Sequence, residues 1–233
     1  MKARKYCETG IFMKRAIIDL NLDPRVYTIS NFLSPMECKA VIARAKSKNM
    51  DRAKVSGPEK GVVSKARTND VCWIDHNFDV AFSRIGRRVA GLVGMPLSHA
   101  ESFQVIRYSP GAEYRGHFDA FDPTTETGER NWGKGGQRLI TALGYLNHVE
   151  EGGETRFNKL DMSVAPEPGK LLVFHNCEPG TIRKHPLSLH AGCPVVKGEK
   201  WAFNLWFRAR SREEKNQAPT EAELAQFSEP ASA

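Results

Sequence analysis

From about residue 100 the chain is written as roughly eight short apolar stretches, with a turn about every ten residues. Ser102–Tyr108, Tyr114–Phe121, Leu139–Leu146, Thr155–Phe157, Val164–Pro166, Lys170–Phe174, Leu187–Ala191 and Lys200–Arg208 are each predicted as strands. Gly, Pro and Asn punctuate them, as in Ser109-Pro110-Gly111 and Pro168-Gly169. Many short, evenly spaced strands bury their apolar faces by stacking into two sheets. A sandwich or jelly roll is therefore the expected architecture.

Ahead of this region the periodicity is helical. Ser34-Pro35-Met36-Glu37 is a capping box with proline at the first helical position. It predicts a helix to about Lys48, burying Cys38, Val41, Ile42 and Ala45. A second amphipathic helix is predicted over 77–93, with Phe78, Phe82, Ile85, Val89, Leu92 and Val93 on one face, ending at Gly94-Met95-Pro96. The expected layout is one domain over 1–210, with helical support at about 23–94 and a β core at about 100–210. A polar tail, 211–233, follows, in which Thr220-Glu221-Ala222-Glu223 starts a short helix bearing Leu224 and Phe227 on one side. The segments 49–70 and 122–137 read as loops that frame a groove.

Composition narrows the function classes. The net charge is +7 with 40% hydrophobic residues, and no apolar run approaches a bilayer span. The basic start Met1–Cys7 leads into no apolar signal region, so a cytoplasmic location is expected. No Lys/Arg cluster with interleaved aromatics marks a nucleic-acid surface. Five cysteines without a Cys-x-x-Cys pattern indicate reduced thiols rather than zinc or a disulfide framework, although Cys177 and Cys193 would approach if they flank a hairpin.

The chemistry begins at His117-Phe118-Asp119. On a strand, residues two apart share a face. An imidazole and a carboxylate so placed are two members of a two-His, one-carboxylate set for non-haem Fe(II), and a second histidine must complete it. His76, His99, His148, His175, His185 and His190 are available, and His190 lies mid-strand among apolar residues. Lys200 then enters the strongly apolar Trp201–Phe207 strand, and no acidic residue nearby in sequence is an obvious partner for it. A buried ammonium needs a partner, and a ligand carboxylate serves. Three protein ligands leave three iron positions, two for a chelating 2-oxo acid and one for dioxygen. Thr141 and Tyr108 are hydroxyls placed to assist Lys200.

The sequence resembles the prolyl 4-hydroxylase group of Fe(II)/2-oxoglutarate dioxygenases from about Phe32 to Arg208. The resemblance is carried by Glu101–Tyr108, Gly111–Phe121, Gly135–Asn147, Glu151–Thr155 and Leu189–Trp206, in that order. It implies a double-stranded β-helix (a jelly roll) with the N-terminal helices packed on one sheet. It implies iron on His117, Asp119 and His190, with the 2-oxoglutarate distal carboxylate on Lys200, Thr141 and Tyr108. Arg67, Glu101, Tyr114, Arg138 and Trp206 match the family's peptide-binding positions. The implied reaction converts 2-oxoglutarate to succinate and CO2 while hydroxylating C4 of a peptidyl proline, with ascorbate as reductant. The same chemistry on another residue or a free amino acid, and a non-catalytic peptide-binding module, are the competing readings. Two positions depart from the family: Asn69, where Arg-Thr-Ser is frequent, and Arg208, where plant-type members often carry His. Both lie on the substrate side.

Overall fold

A computed structural model describes residues 4–5, 16–55, 62–213 and 218–228. Most of the N-terminal lead-in, Cys7 and the Gly/Pro turn at 56–61 lie outside the described residues. The main elements are β1 (Ala16–Leu22), β2 (Arg25–Ile29), α1 (Pro35–Lys46), β3 (Asp70–Ile74), α2 (Val80–Val93), β4 (Phe103–Tyr108) and β5 (Tyr114–His117). They continue as α3 (Glu126–Trp132), β6 (Arg138–Tyr145), β7 (Thr155–Phe157), β8 (Met162–Val164), β9 (Leu171–His175), β10 (His190–Gly192), β11 (Lys200–Arg208) and α4 (Glu221–Ser228).

Two sheets face each other. The larger runs Arg4–Lys5, β1, β2, β9, β6, β11, β4, β3, Asp51–Arg52. The smaller runs β8, β7, β10, β5. The expected jelly roll with helices on one sheet is what forms. Strand alternation explains why β6 and β11 read as nearly continuous apolar runs. On β11, Trp201, Phe203, Leu205 and Phe207 join the layer under the helices, with Val41 and Ala45 of α1 and Phe82, Ile85 and Val89 of α2. Ala202 faces the other way, with Ile106, Tyr108, Leu143, Tyr145 and Phe157 between the sheets. Both faces of the large sheet are covered, so both parities are apolar. Burying each large side chain contributes about 1.5–3 kcal/mol, which pins the register.

The capping box forms as expected. Glu37 N donates to Ser34 Oγ at 3.2 Å, and Ser34 N donates to Glu37 Oε2 at 2.8 Å. Helix α2 begins later than expected, because Asp79 caps it through the Ala81 and Phe82 amides. Phe78 is left outside the helix and half-exposed. The strand expected over 114–121 stops at His117, since its partner β10 is only three residues long. Leu187–Ala191 likewise splits into a 3-10 turn, Pro186–Ser188, and β10. The expected loop 122–137 contains α3, capped by Thr125. A Cβ at Gly128 would fall on the Asp122 carbonyl, so glycine is required there despite its low helix propensity. The loop 49–70 carries the short strands Asp51–Arg52, Lys54–Val55 and Val62–Val63. The tail helix forms and returns to the body, with Phe227 edge-on to Trp132 at 6.0 Å and Arg210 paired to Glu223 at 3.1 Å. Cys38, Cys72, Cys177 and Cys193 are free thiols, so Cys177 and Cys193 are not bridged. Among the described residues, no helix is long and apolar enough to cross a membrane.

Candidate active site

A cavity of about 720 Å³ opens between the sheets, and His117, Asp119 and His190 meet in its wall. Pairing of β5 with β10 sets His190 directly opposite His117. Asp119 follows just past the strand end. The three ligand atoms lie within 4.8 Å of one another. Each imidazole is oriented from behind. His117 Nδ1 is 2.9 Å from the Arg115 carbonyl, and His190 Nδ1 is 2.9 Å from the Ser188 carbonyl. A carbonyl only accepts, so both Nδ1 atoms carry the proton and both Nε2 lone pairs face the centre. Those Nε2 atoms stand 3.7 and 3.6 Å from the Asp119 carboxylate. Burial, followed by the charge of His190, holds His117 down to about 3, which keeps the ring neutral and able to ligate. Burial opposes ionisation of Asp119, but His190, His117, Arg138 and the Trp206 N–H outweigh it and hold the carboxyl down at about 2.

Asp119 is anchored by its neighbours. Its Oδ2 accepts from Thr141 Oγ1 at 2.8 Å and from Trp206 Nε1 at 2.9 Å. Asn176, fully buried, donates to Thr141 Oγ1 at 2.9 Å, which turns the hydroxyl proton toward Asp119. Two imidazoles presenting Nε2 and one fixed carboxylate on a single face, with open space before them, suit Fe(II). The fit rests on this donor set.

Lys200 lies deeper in the same cavity and is 2% exposed. Among the described residues it makes no ion pair or hydrogen bond through its ammonium. Its Nζ lies 5.0 Å from the Tyr108 ring centre and 5.5 Å from that of Tyr145. Burial pushes the ammonium down to about 8. Two glycines make this end roomy: a Cβ on Gly192 would sit 3.1 Å from the Tyr108 hydroxyl, and one on Gly153 would sit 3.4 Å from Lys200 Cδ. A buried, unpaired ammonium beside a cavity fits the far carboxylate of a dicarboxylic acid.

The outer part of the cavity is aromatic and basic. Tyr114 stacks on His117 with centroids 3.5 Å apart and rings 17° from parallel, and Arg67 lies over Tyr114 at 4.5 Å. Arg67 is held by Gln104 at 2.9 Å and Asn69 at 3.2 Å. Glu101 is clasped by Arg138 through both oxygens, at 2.6 and 2.9 Å, and by Arg208 at 2.6 Å. Burial works against its charge, yet the two guanidiniums bring the carboxyl down to about 2. Arg138 lies over the Trp206 ring at 3.8 Å, and Trp73, nearly half exposed, flanks Trp206 at 6.0 Å.

Of the residues singled out in the sequence, His117, Asp119, His190, Lys200, Tyr108, Arg67, Glu101, Tyr114, Arg138 and Trp206 all line this one cavity. Thr141 sits behind it, with its hydroxyl on Asp119 and Asn176 rather than beside Lys200. The neighbour of Lys200 on β6 is Tyr145, two same-face positions further along, whose hydroxyl bonds Thr155 at 2.7 Å. Tyr145, Thr155, Asn176 and Trp73 are absent from the sequence-based expectation. The four-residue step from Thr141 to Tyr145 on one strand face is the signal that reaches Tyr145. His185 is structural, with Nδ1 accepting from the Leu187 amide at 3.1 Å. His99 also bonds backbone, with Nδ1 at 2.9 Å from the Arg208 carbonyl.

A jelly roll that sets two histidines and an aspartate beside a buried lysine defines a non-haem Fe(II) dioxygenase using 2-oxoglutarate. The profile of the 2OG-Fe(II) oxygenase superfamily matches residues 103–208. Prolyl 4-hydroxylase 2 of Arabidopsis thaliana is 34% identical over 211 residues, covering 81% of this chain and 68% of that protein. The solved viral collagen prolyl hydroxylase of Paramecium bursaria Chlorella virus-1, in its 2-oxoglutarate complex, superposes with a TM-score of 0.64. It is 30% identical and covers 79% of this chain and 96% of that one. A Pseudomonas putida prolyl-4-hydroxylase shares the fold with a TM-score of 0.57 at 22% identity, over 80% of this chain and 93% of that one. The chain belongs to the prolyl 4-hydroxylase group of the Fe(II)/2-oxoglutarate-dependent dioxygenases. Its cofactor set is accordingly Fe(II), 2-oxoglutarate and O2, with ascorbate as the group's reductant.

Proposed function

We propose that this enzyme hydroxylates peptidyl proline at C4, converting 2-oxoglutarate to succinate and CO2. The observation that carries the reading is the unpaired, buried Lys200 at the closed end of the cavity whose wall holds His117, Asp119 and His190. Fe(II) with 2-oxoglutarate and O2 would supply the oxidant that replaces a C–H hydrogen by hydroxyl. The protein residues do the rest. His117 and His190 offer Nε2, and Asp119 offers Oδ1, since Oδ2 is taken by Thr141 and Trp206. Lys200 pairs the far carboxylate, with Tyr108 and Tyr145 walling it; Thr141 instead supports the metal ligand Asp119. Arg67, Glu101, Tyr114, Arg138 and Trp206 face the peptide. Tyr114, stacked on a metal ligand, forms the wall nearest the reacting carbon.

One dioxygenase domain over 1–210 carries this activity, with support at 23–94 and core at 100–210, and 211–233 forms a tail that returns through α4. Four free thiols among the described residues suit a reducing compartment such as the cytoplasm. The test is incubation with Fe(II), 2-oxoglutarate and proline-containing peptides, with mass mapping. A gain of about 16 Da, one oxygen, on proline is expected. A gain on another residue, or turnover only of a free amino acid, would redirect the assignment.

A further inference from the structure

The mouth of the active-site cavity has an uneven charge. Eight of its lining residues are Lys or Arg and four are Asp or Glu. Glu101 is neutralised by Arg138 and Arg208, and Asp119 belongs to the metal-ligand face. That leaves Asp51 and Asp122 against Lys48, Arg52, Lys54, Arg67 and Lys134. Among the described residues, none of these five cations pairs with a carboxylate. Arg52 donates to the Thr68 carbonyl, Arg67 bonds Gln104, Asn69 and the Lys54 carbonyl, and Lys48 lies over the Phe78 ring at 4.9 Å. Asp122 is occupied by Thr124. Lys54 and Lys134 are exposed.

The cations come from two separated places. Lys134 lies four residues before the start of β6, and Arg52 belongs to the edge strand Asp51–Arg52, four strand steps away in the order β6, β11, β4, β3, Asp51–Arg52. The register sets Asp51–Arg52 level with Tyr145, at the far end of β6 from Arg138, so four steps of about 4.8 Å across and seven residues of about 3.3 Å along the strands put that edge strand roughly 30 Å from the start of β6. An extended proline-type peptide covers it in about ten residues at ~3.1 Å each. Trp206 and Trp73 lie on strands between, with Tyr114 facing them from the smaller sheet across the cavity, an aromatic surface where a proline ring is best received.

We propose that the substrate is an acidic peptide: a proline flanked on both sides, within about five residues, by Asp or Glu, lying diagonally across the strands with its acids on the Lys48–Lys54 segment and on Lys134. The inference rests on the proline-hydroxylase reading and names its substrate class. An acidic flank finds partners that the protein leaves unpaired, and a basic flank meets like charge.

The experiment uses the full chain with Fe(II), 2-oxoglutarate and three peptides that share a central proline and differ only in Glu, Gln or Lys flanks. Hydroxylation is followed by mass spectrometry at low and high salt. The Glu peptide is expected to show about tenfold higher kcat/KM than the Gln peptide, with the advantage shrinking as salt rises. In the double variant Lys54→Glu, Lys134→Glu, with unaltered thermal unfolding, the order of Glu and Lys peptides should invert. Equal turnover of the three peptides, or preference for the Lys peptide by the unmodified enzyme, would overturn the acidic-substrate inference and leave proline hydroxylation standing. If 2-oxoglutarate were consumed without proline hydroxylation in any peptide, the hydroxylase reading would fall, and this inference with it.

Discussion

Trp206 donates its indole N–H to Asp119 Oδ2 at 2.9 Å while its ring supports the Arg138 guanidinium at 3.8 Å. One side chain thus joins the metal-ligand face to the substrate-facing side of the cavity. The bond fixes which carboxylate oxygen is left for a cation. Trp206→Phe keeps an aromatic surface for Arg138 and removes only the donor. Fe(II) affinity should fall about 10- to 100-fold, as when other partners of metal ligands are lost. Titration with Fe(II), or with Co(II) read by its absorbance, checks it. An unchanged affinity would show that Thr141 alone suffices.

The ligand set itself is tested by His117→Ala and Asp119→Ala. Each should abolish 2-oxoglutarate decarboxylation while circular dichroism stays that of the folded protein, since His117 ends a short edge strand, Asp119 lies just past it, and neither belongs to the apolar core. Undiminished turnover in either variant would remove that residue from the metal site.

On the proposed reading, Lys200 holds the far carboxylate of the co-substrate. Lys200→Ala should raise the 2-oxoglutarate requirement by more than about a hundredfold, the loss expected when one member of a buried pair is deleted, about 3–5 kcal/mol. Because burial depresses this ammonium to about 8 in the free protein, 2-oxoglutarate affinity should weaken as pH rises through that value. The sign for stability follows from proton counts. Between about 8 and 10.5 the unfolded chain binds the proton and the folded chain does not, so without co-substrate the fold gains stability with pH across that window. Isothermal titration and denaturant melts over that range read both effects. A pH-independent affinity would place Lys200 elsewhere.

Glu101→Gln leaves Arg138 and Arg208 as two buried guanidiniums without a countercharge. A loss of about 3–5 kcal/mol of stability is expected in urea unfolding. In the unmodified protein, the Glu101 carboxyl is held down at about 2 from an ordinary 4.5. Its contribution is therefore complete above pH 4.5 and drains away as pH falls toward 2. The variant should lose that part of the acid dependence. Parallel acid unfolding of both proteins would mean that the charge of Glu101 is not what the two arginines hold.

Local signals were enough to read much of this molecule. The Ser34–Glu37 capping box forms as written because all its partners lie within four residues. Lys200 stood out because a cation in an apolar strand has few physical explanations. What could not be read depends on distant partners. The bond from Arg208 to Glu101 spans 107 positions, and nothing near either residue announces it. Strand β5 ends at His117 because β10 is short, a limit set by another part of the chain. Helix α3 was hidden by Gly128, which looks like a helix breaker until the Asp122 carbonyl is placed against it. Tyr145 lies inside the apolar run Leu139–Leu146, and only the third dimension sets it beside Lys200.

The parity of β11 has a consequence for how enzymes of this kind diversify. Lys200, Asn204, Trp206 and Arg208 point into the cavity, while Trp201, Phe203, Leu205 and Phe207 hold the helices. Substitution at an even position retunes co-substrate grip, ligand support or substrate edge and leaves the helix contact alone. Inserting or deleting one residue exchanges the two sets and ruins both at once. New substrate preferences on this scaffold are therefore reached through point changes at alternate sites of this strand and through length changes in the loops, where register carries no penalty.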